Sequence, residues 1–118
     1  MLKFGLLLGL DGSSHFESLI GFLQENNWDT EMYRYQSWMV NQISYLPVGA
    51  DECDALIVRG MGSRHGFVNA LDKLSKPIVY ITTFGFPNLN LESGNVVIYR
   101  ASSYSFKELL DSVERLME

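Results

Sequence analysis

The chain is poor in cysteine, in basic residues and in long apolar runs. Cys53 is its single cysteine, which excludes an internal disulfide and fits a reducing compartment such as the cytoplasm. The chain has nine lysines and arginines and fourteen acidic residues, which gives a formal net charge of −5. Because the basic residues form no run, nucleic acid is not predicted as a partner. The apolar stretch over residues 2–10 is shorter than a membrane span and lacks a signal peptide's cleavage region, so no membrane association is predicted.

Motifs of high chemical specificity are also missing. The sequence has neither a GxxxxGKS/T nor a GxGxxG pattern, and both are typical of nucleotide-binding loops. His15 and His65 lack a clear carboxylate partner, which favours ordinary surface histidines over a metal or acid–base pair. Cys53 has no neighbouring histidine or basic cluster to activate its thiol, so a small core residue is predicted. We predict no metal, no cofactor and no catalytic residue, and we expect that the chain is not an enzyme.

The overall composition is typical of one globular domain. Apolar residues make up 47% of the chain and charged residues 19%, and 118 residues are enough for one core and too few for two. A single α/β domain over residues 1–118 is therefore predicted, without repeats or an interdomain linker.

Strand and helix patterns alternate along the chain. Apolar runs with β-branched or aromatic residues predict strands over residues 2–9, 28–35, 55–58, 78–81 and 96–99. Apolar residues at helical spacing predict four helices. Two begin at capping boxes, Ser14/Glu17 and Ser105/Glu108. The other two are predicted over residues 36–46 and from Ser63 to residue 74. Residues 82–94, rich in glycine, proline and asparagine, are predicted to form a loop.

This alternation predicts a fold class and the place of a ligand site. Right-handed crossovers give a doubly wound, five-stranded parallel sheet, and the strongly apolar first strand favours the flavodoxin-like strand order 2-1-3-4-5. Ligands of such sheets bind beyond the carboxyl ends of the strands, where the strand order reverses, here between the first and third strands.

Polar and glycine residues follow the strands at that edge and are the predicted ligand-binding residues. They suit hydroxyl groups or a small anion, and Arg59 offers a fork of donors. The alternative for each residue is structural: the glycines make tight turns, the serines cap helices, and Arg59 pairs with Asp11 or Glu17. The candidates are Asp11, Ser13, Ser14, Arg59, Gly60, Gly62, Thr82, Thr83 and Ser102.

Four runs of the sequence resemble the first half of the ligand-binding domain of xylose-operon and lactose-repressor-type regulators. In that family a first helix ends before a tryptophan-containing strand, a "DGxI" strand follows, and a "PxV" strand precedes one with a short polar motif. The matching runs are GFLQENNWD at 21–29, DALIV at 54–58, KPIVY at 76–80 and NVVIY at 95–99.

The resemblance implies a type I periplasmic-binding-protein-like lobe that binds a sugar or nucleobase with its carboxyl-edge loops. Asp11 and Ser13, Arg59, and Thr82 with Thr83 stand at the positions of three of those loops. Ser102 and Ser103 match a "TDN"-like motif whose acidic residue is missing here. Because a second lobe and a DNA-binding segment are absent from these residues, the resemblance implies an excised part of a regulator or a lobe that pairs with itself or another protein.

Three functional hypotheses follow from the sequence. The first is a small-molecule, sugar-like sensor lobe related to regulator effector domains, working in the cytoplasm as a homo-oligomer. The second is a degenerate receiver-like or flavodoxin-like scaffold that binds protein through its last helix or through an aromatic cluster of Trp28, Tyr33, Tyr35 and Trp38. The third and weakest is an enzyme that uses His15 or His65.

Overall fold

The computed structural model describes residues 1–8, 13–34, 49–59, 74–82, 94–100 and 103–118. Five strands lie in these ranges, each close to its predicted position because each is a short apolar run closed by turn residues. They are β1 (Lys3–Leu8), β2 (Asp29–Arg34), β3 (Ala55–Arg59), β4 (Ile78–Thr82) and β5 (Val96–Arg100).

The five strands form one all-parallel sheet in the order β2-β1-β3-β4-β5, which confirms the predicted α/β class and strand order. The strand order reverses between β1 and β3, as expected. Strand β1 is central because it is apolar on both faces, whereas β2 at the edge carries exposed charged residues.

Two helices of the described ranges connect or follow these strands: α1 (Ser13–Glu25) and α2 (Phe106–Leu116). Ser105 caps α2, where its hydroxyl accepts a 3.1 Å hydrogen bond from the backbone N–H of Glu108. Helix α1 already begins at Ser13, so the predicted cap at Ser14 is wrong and Ser14 lies inside the first turn. A short 3₁₀ turn, Ala50–Glu52, leads into β3.

Both helices pack on the same face of the sheet. Phe16, Leu19 and Leu23 of α1 and Leu109 and Val113 of α2 are fully buried there. They meet side chains from the strands and from the turn before β2, namely Phe4, Leu6, Trp28, Ala55, Ile57, Val79 and Ile81. The Phe4 and Trp28 rings lie 4.1 Å apart, centroid to centroid.

The opposite face of the sheet is buried as well. Its side chains include Leu7, Leu56, Val58, Ile78 and Tyr80, none more than 1% exposed. The helices predicted over 36–46 and from Ser63, and the loop after β4, lie almost wholly outside the described residues.

Two members of the predicted aromatic cluster, Trp28 and Tyr33, do not lie together. Trp28 packs in the core of the helix-covered face, whereas Tyr33 packs on the opposite face beside Cys53. Tyr35 and Trp38 lie outside the described residues. Cys53 is a free thiol, 3% exposed, so the prediction of a core cysteine is confirmed. Neither described helix is long and apolar enough to cross a membrane.

Candidate functional site

Arg59 is the one predicted ligand-binding residue whose side chain the structure describes. The backbone of Ser13 and Ser14 lies in the first turn of α1, and Thr82 is the last residue of β4. The remaining candidates, Asp11, Gly60, Gly62, Thr83 and Ser102, lie outside the described residues. The backbone thus brings the first turn of α1 and the ends of β3 and β4 to one edge of the sheet.

Arg59 is the last residue of β3, one position further along the strand than the sequence pattern indicates. It is in register with Ile81 of β4, and Ile81 is in register with Tyr99 of β5. Ile81 and Tyr99 belong to the helix-covered face. Arg59 therefore projects from the carboxyl edge toward the face that carries α1 and α2.

The guanidinium group of Arg59 is held against α1. Its Cζ lies 5.9 Å from the centroid of the Phe16 ring, a distance typical of a cation–π contact. Phe16 is fully buried in the first turns of α1, so its position is fixed by the core. The contact orients the guanidinium, a planar group whose paired donors suit carboxylates and phosphates.

Aromatic side chains continue from Arg59 toward α2. The ring of Tyr104 lies 5.8 Å from that of Tyr99 and 6.2 Å from that of Phe106. Half-burial raises the pKa of the Tyr104 hydroxyl, because desolvation disfavours the phenolate, and the positive charge of Arg59 acts in the opposite direction. The hydroxyl of Tyr99 donates to the backbone oxygen of Glu108 at 3.2 Å.

Two further arginines occupy equivalent ends of strands and are absent from the predicted set. Arg34 ends β2 and Arg100 ends β5, so arginine is the last residue of three strands. Among the five described strand ends, none is acidic. The signal was present in the sequence, because both Arg34 and Arg100 follow a tyrosine near the end of a predicted strand.

The amino edge of the sheet has a different character. Lys3 forms a salt bridge with Glu31, and hydrogen bonds from Lys3 and then Tyr33 lower the pKa of the Glu31 carboxyl. Burial and the neighbouring Cys53 raise the pKa of Tyr33, whose hydroxyl lies 3.8 Å from the thiol. The thiol also donates to the oxygen of Gly49 at 3.7 Å. This cluster joins β1, β2 and the turn before β3, and its contacts are internal.

Further bonds close the same edge. The carboxylate of Asp54 accepts from the backbone N–H of Lys3 at 2.8 Å, and Lys76 donates to the oxygens of Asp51 and Cys53. Asn95 donates to the oxygen of Leu74 at 3.0 Å. No group of three or more His, Cys, Asp or Glu residues able to hold a metal occurs within the described ranges.

Comparisons with known proteins bear on the fold alone. No family model matches the sequence, and no curated protein matches it. Solved structures do match. One is the crystal structure of a "putative lipoprotein from Peptoclostridium difficile 630 (fragment)", which is 14% identical and superposes with a TM-score of 0.69 over 100% of both chains. At that identity the likeness supports the shared α/β architecture and carries no function.

Proposed function

We propose that this chain is a non-enzymatic binding or sensing lobe for a small, sugar-like molecule, with the ligand at the carboxyl edge of the sheet beside the crossing from β1 to β3. The observation that carries the proposal is the setting of Arg59. It ends a central strand, rests on a buried aromatic ring, and stands at the edge where parallel α/β sheets bind their ligands.

The two edges of the sheet support this choice. At the amino edge, described side chains such as Lys76 and Asp54 are engaged in bonds that tie strands and turns together. The carboxyl edge carries the guanidinium of Arg59, which lies against the Phe16 ring, beside the half-buried Tyr104. A rigid donor next to an aromatic surface is suited to hold a polar ligand, because aromatic rings pack against the carbon face of a sugar while the donors bind its oxygens.

A thermal-shift screen tests the proposal. The full chain is heated with pentoses, hexoses, sugar phosphates, nucleotides and flavins, each at high concentration. A ligand at 100 times its dissociation constant stabilises the folded state by about 2.7 kcal/mol, which raises the melting temperature by several degrees in a domain of this size. We expect at least one sugar-like compound to do so.

The matched variants are Arg59→Gln and Arg115→Gln. Both remove one positive charge, but Arg115 lies in the last turn of α2, about 15 Å along the helix from its cap. The ligand-induced shift should disappear in Arg59→Gln and persist in Arg115→Gln. A folded wild-type chain that no compound in the screen stabilises would contradict the proposal.

The same screen separates this function from protein binding. Trp28 and three apolar residues of α2, Leu109, Leu110 and Val113, are buried in the core and are unavailable to a partner. A scaffold would then depend on Tyr35 or Trp38, and a pull-down that fails on replacing either residue, with no small-molecule shift, would favour that hypothesis.

We also propose a cytoplasmic location, which the free thiol of Cys53 supports. The structural neighbour is described as a lipoprotein, so the two proteins would differ in location. Cell fractionation with an antibody to the chain tests this, and recovery in the membrane fraction would contradict it.

A further inference from the structure

We infer that the outer edge of β5 is a dimer interface, at which a second copy of this chain adds its own β5 in antiparallel orientation and joins the two sheets into one. The inference concerns a different surface from the proposed ligand site and does not depend on it. It follows from the contrast between the two edge strands of the sheet, β2 and β5.

The edge strand β5 is apolar and carries no carboxylate. Its sequence is VVIYR, and its first four side chains are all partly exposed, whereas the apolar side chains of β3 and β4 are buried. Within the described ranges no strand pairs with the outer side of β5, which stands last in the sheet order. An apolar strand edge of this kind is a template for pairing with another strand.

The other edge strand, β2, is protected by charge. Asp29 and Glu31 are exposed on it, and Glu31 forms a salt bridge with Lys3 of the neighbouring β1. Charged side chains along an edge strand disfavour pairing with a further strand. The edge suited to bind another strand is therefore β5.

The backbone of β5 has the alternation that a two-fold pairing needs. The N–H of Ile78 donates to the oxygen of Asn95 at 2.9 Å, so this carbonyl is directed toward β4. Successive residues of a strand direct their N–H and C=O groups to alternate sides, so those of Val96 and Ile98 are directed away from β4. With a two-fold axis at Ile98, this residue exchanges two hydrogen bonds with the partner's Ile98.

The same axis places compatible side chains opposite each other. Val97 lies opposite the partner's Tyr99, and Val96 lies opposite the partner's Arg100, so no two like charges meet across the strands. Cross-strand pairs of aromatic and β-branched residues stabilise antiparallel sheets. Two-fold symmetry closes the assembly at two copies.

Helix α2 enlarges the interface and favours a second copy as the partner. Specific interfaces bury about 1,200 Å² or more, which exceeds what five strand residues provide. Ser112 is hydrogen-bonded to the hydroxyl of Tyr99, so its side of α2 faces β5. Glu108 and Arg115 are exposed one turn to either side of Ser112. An antiparallel copy brings the partner's Arg115 toward Glu108, and these opposite charges are complementary.

Analytical ultracentrifugation of the full chain tests the inference. We expect a concentration-dependent dimer with twice the monomer mass of 13.4 kDa. Ile98→Lys places two like charges opposite each other at the axis and should raise the dimer dissociation constant about a hundredfold or more. Met32→Lys makes a similar change on β2, at a side chain that is 37% exposed, and should leave the dimer unchanged. Circular dichroism confirms that the variants are folded.

Cross-linking decides the question if Ile98→Lys does not fold. The Cα atoms of a hydrogen-bonded antiparallel pair are about 5.5 Å apart, which suits a disulfide. Mild oxidation of Ile98→Cys should therefore give a disulfide-linked dimer, whereas Met32→Cys should remain monomeric on a non-reducing gel. A wild type that is monomeric at every concentration, a folded Ile98→Lys that still dimerises, or equal cross-linking of the two cysteine variants would overturn the inference.

Discussion

Replacing Gly5 with alanine should destabilise the chain, because the space beside this glycine is filled from three sides. A Cβ at Gly5 would lie 2.9 Å from the sulfur of Cys53, 2.9 Å from Cδ2 of Leu56 and 3.4 Å from Cε2 of Tyr33. The first two distances are shorter than a carbon atom tolerates, so a neighbour has to move. Leu56 is fully buried and Cys53 is 3% exposed, so neither has open space to move into.

The size of the effect is the balance of two opposing contributions. Inserting a methyl group into a well-packed core costs about 1–3 kcal/mol. Removing a glycine from the unfolded chain returns about 0.5–1 kcal/mol, because alanine loses less backbone entropy on folding. At the midpoints of the two ranges the net loss is about 1 kcal/mol. For 118 residues this corresponds to about 4 °C in melting temperature.

Gly21 provides a matched control with the opposite sign. It lies within α1, and a Cβ there would meet nothing within 4 Å. Gly21→Ala gains helix propensity without a clash and should stabilise the chain by up to about 1 kcal/mol. Urea denaturation of both variants beside the wild type measures the two free energies of unfolding.

A double-mutant cycle with Cys53→Ala tests the cause. Removing the sulfur vacates one side of the space, so Gly5→Ala should cost less in the Cys53→Ala background than in the wild type, by about 0.5–1 kcal/mol. The packing argument is refuted if Gly5→Ala matches or exceeds the wild type in stability, or if its cost is unchanged when the sulfur is gone.

Two other predictions concern α2 and the amino edge. Ser105→Ala should destabilise the chain by about 1 kcal/mol, since the N–H of Glu108 loses its cap, and Ser105→Asp should retain most of the stability in the same urea assay. Glu31→Gln should cost stability at neutral pH, and the difference from wild type should shrink as the pH falls below the ordinary value of 4.5. The pKa of Glu31 is lowered in the folded state by Lys3 and Tyr33, so its contribution is present above that value and is lost as the carboxylate is protonated. A difference that stays constant down to the lowest pH at which the chain is folded would contradict the assignment.

The fold was predictable because the local patterns agree with one another. Runs such as residues 55–58 and 78–81 have the β-branched content of buried strands, and turn residues stand at their ends. The Ser105/Glu108 pair predicted the start of α2, which the structure confirms. The first serine pair misled because Ser13 and Ser14 are chemically alike, so composition does not distinguish which residue begins the helix.

The aromatic cluster failed for a reason of geometry. Side chains alternate between the two faces of an extended chain, and Tyr33 comes five positions, an odd number, after Trp28. They therefore reach opposite faces of the sheet, Trp28 beneath the helices and Tyr33 beside Cys53. Aromatic residues that are close in sequence are therefore not always on the same face of a strand.

The site was predictable only in part. Sequence patterns predict where a strand lies, but they do not predict which side chains its end places near those of other strands. Arg59 was identified because glycines follow it, and its contact with Phe16 needs the fold to bring α1 over β3. Arg100 is not followed by a glycine, so the sequence shows it only as the residue after an apolar run. Parallel pairing aligns the ends of β3, β4 and β5, so residues more than forty positions apart in sequence meet at one edge. Only the register of the sheet shows that Arg59 and Arg100 end neighbouring parts of one edge, and the alternation of side chains places them on opposite faces of it, which the sequence alone does not reveal.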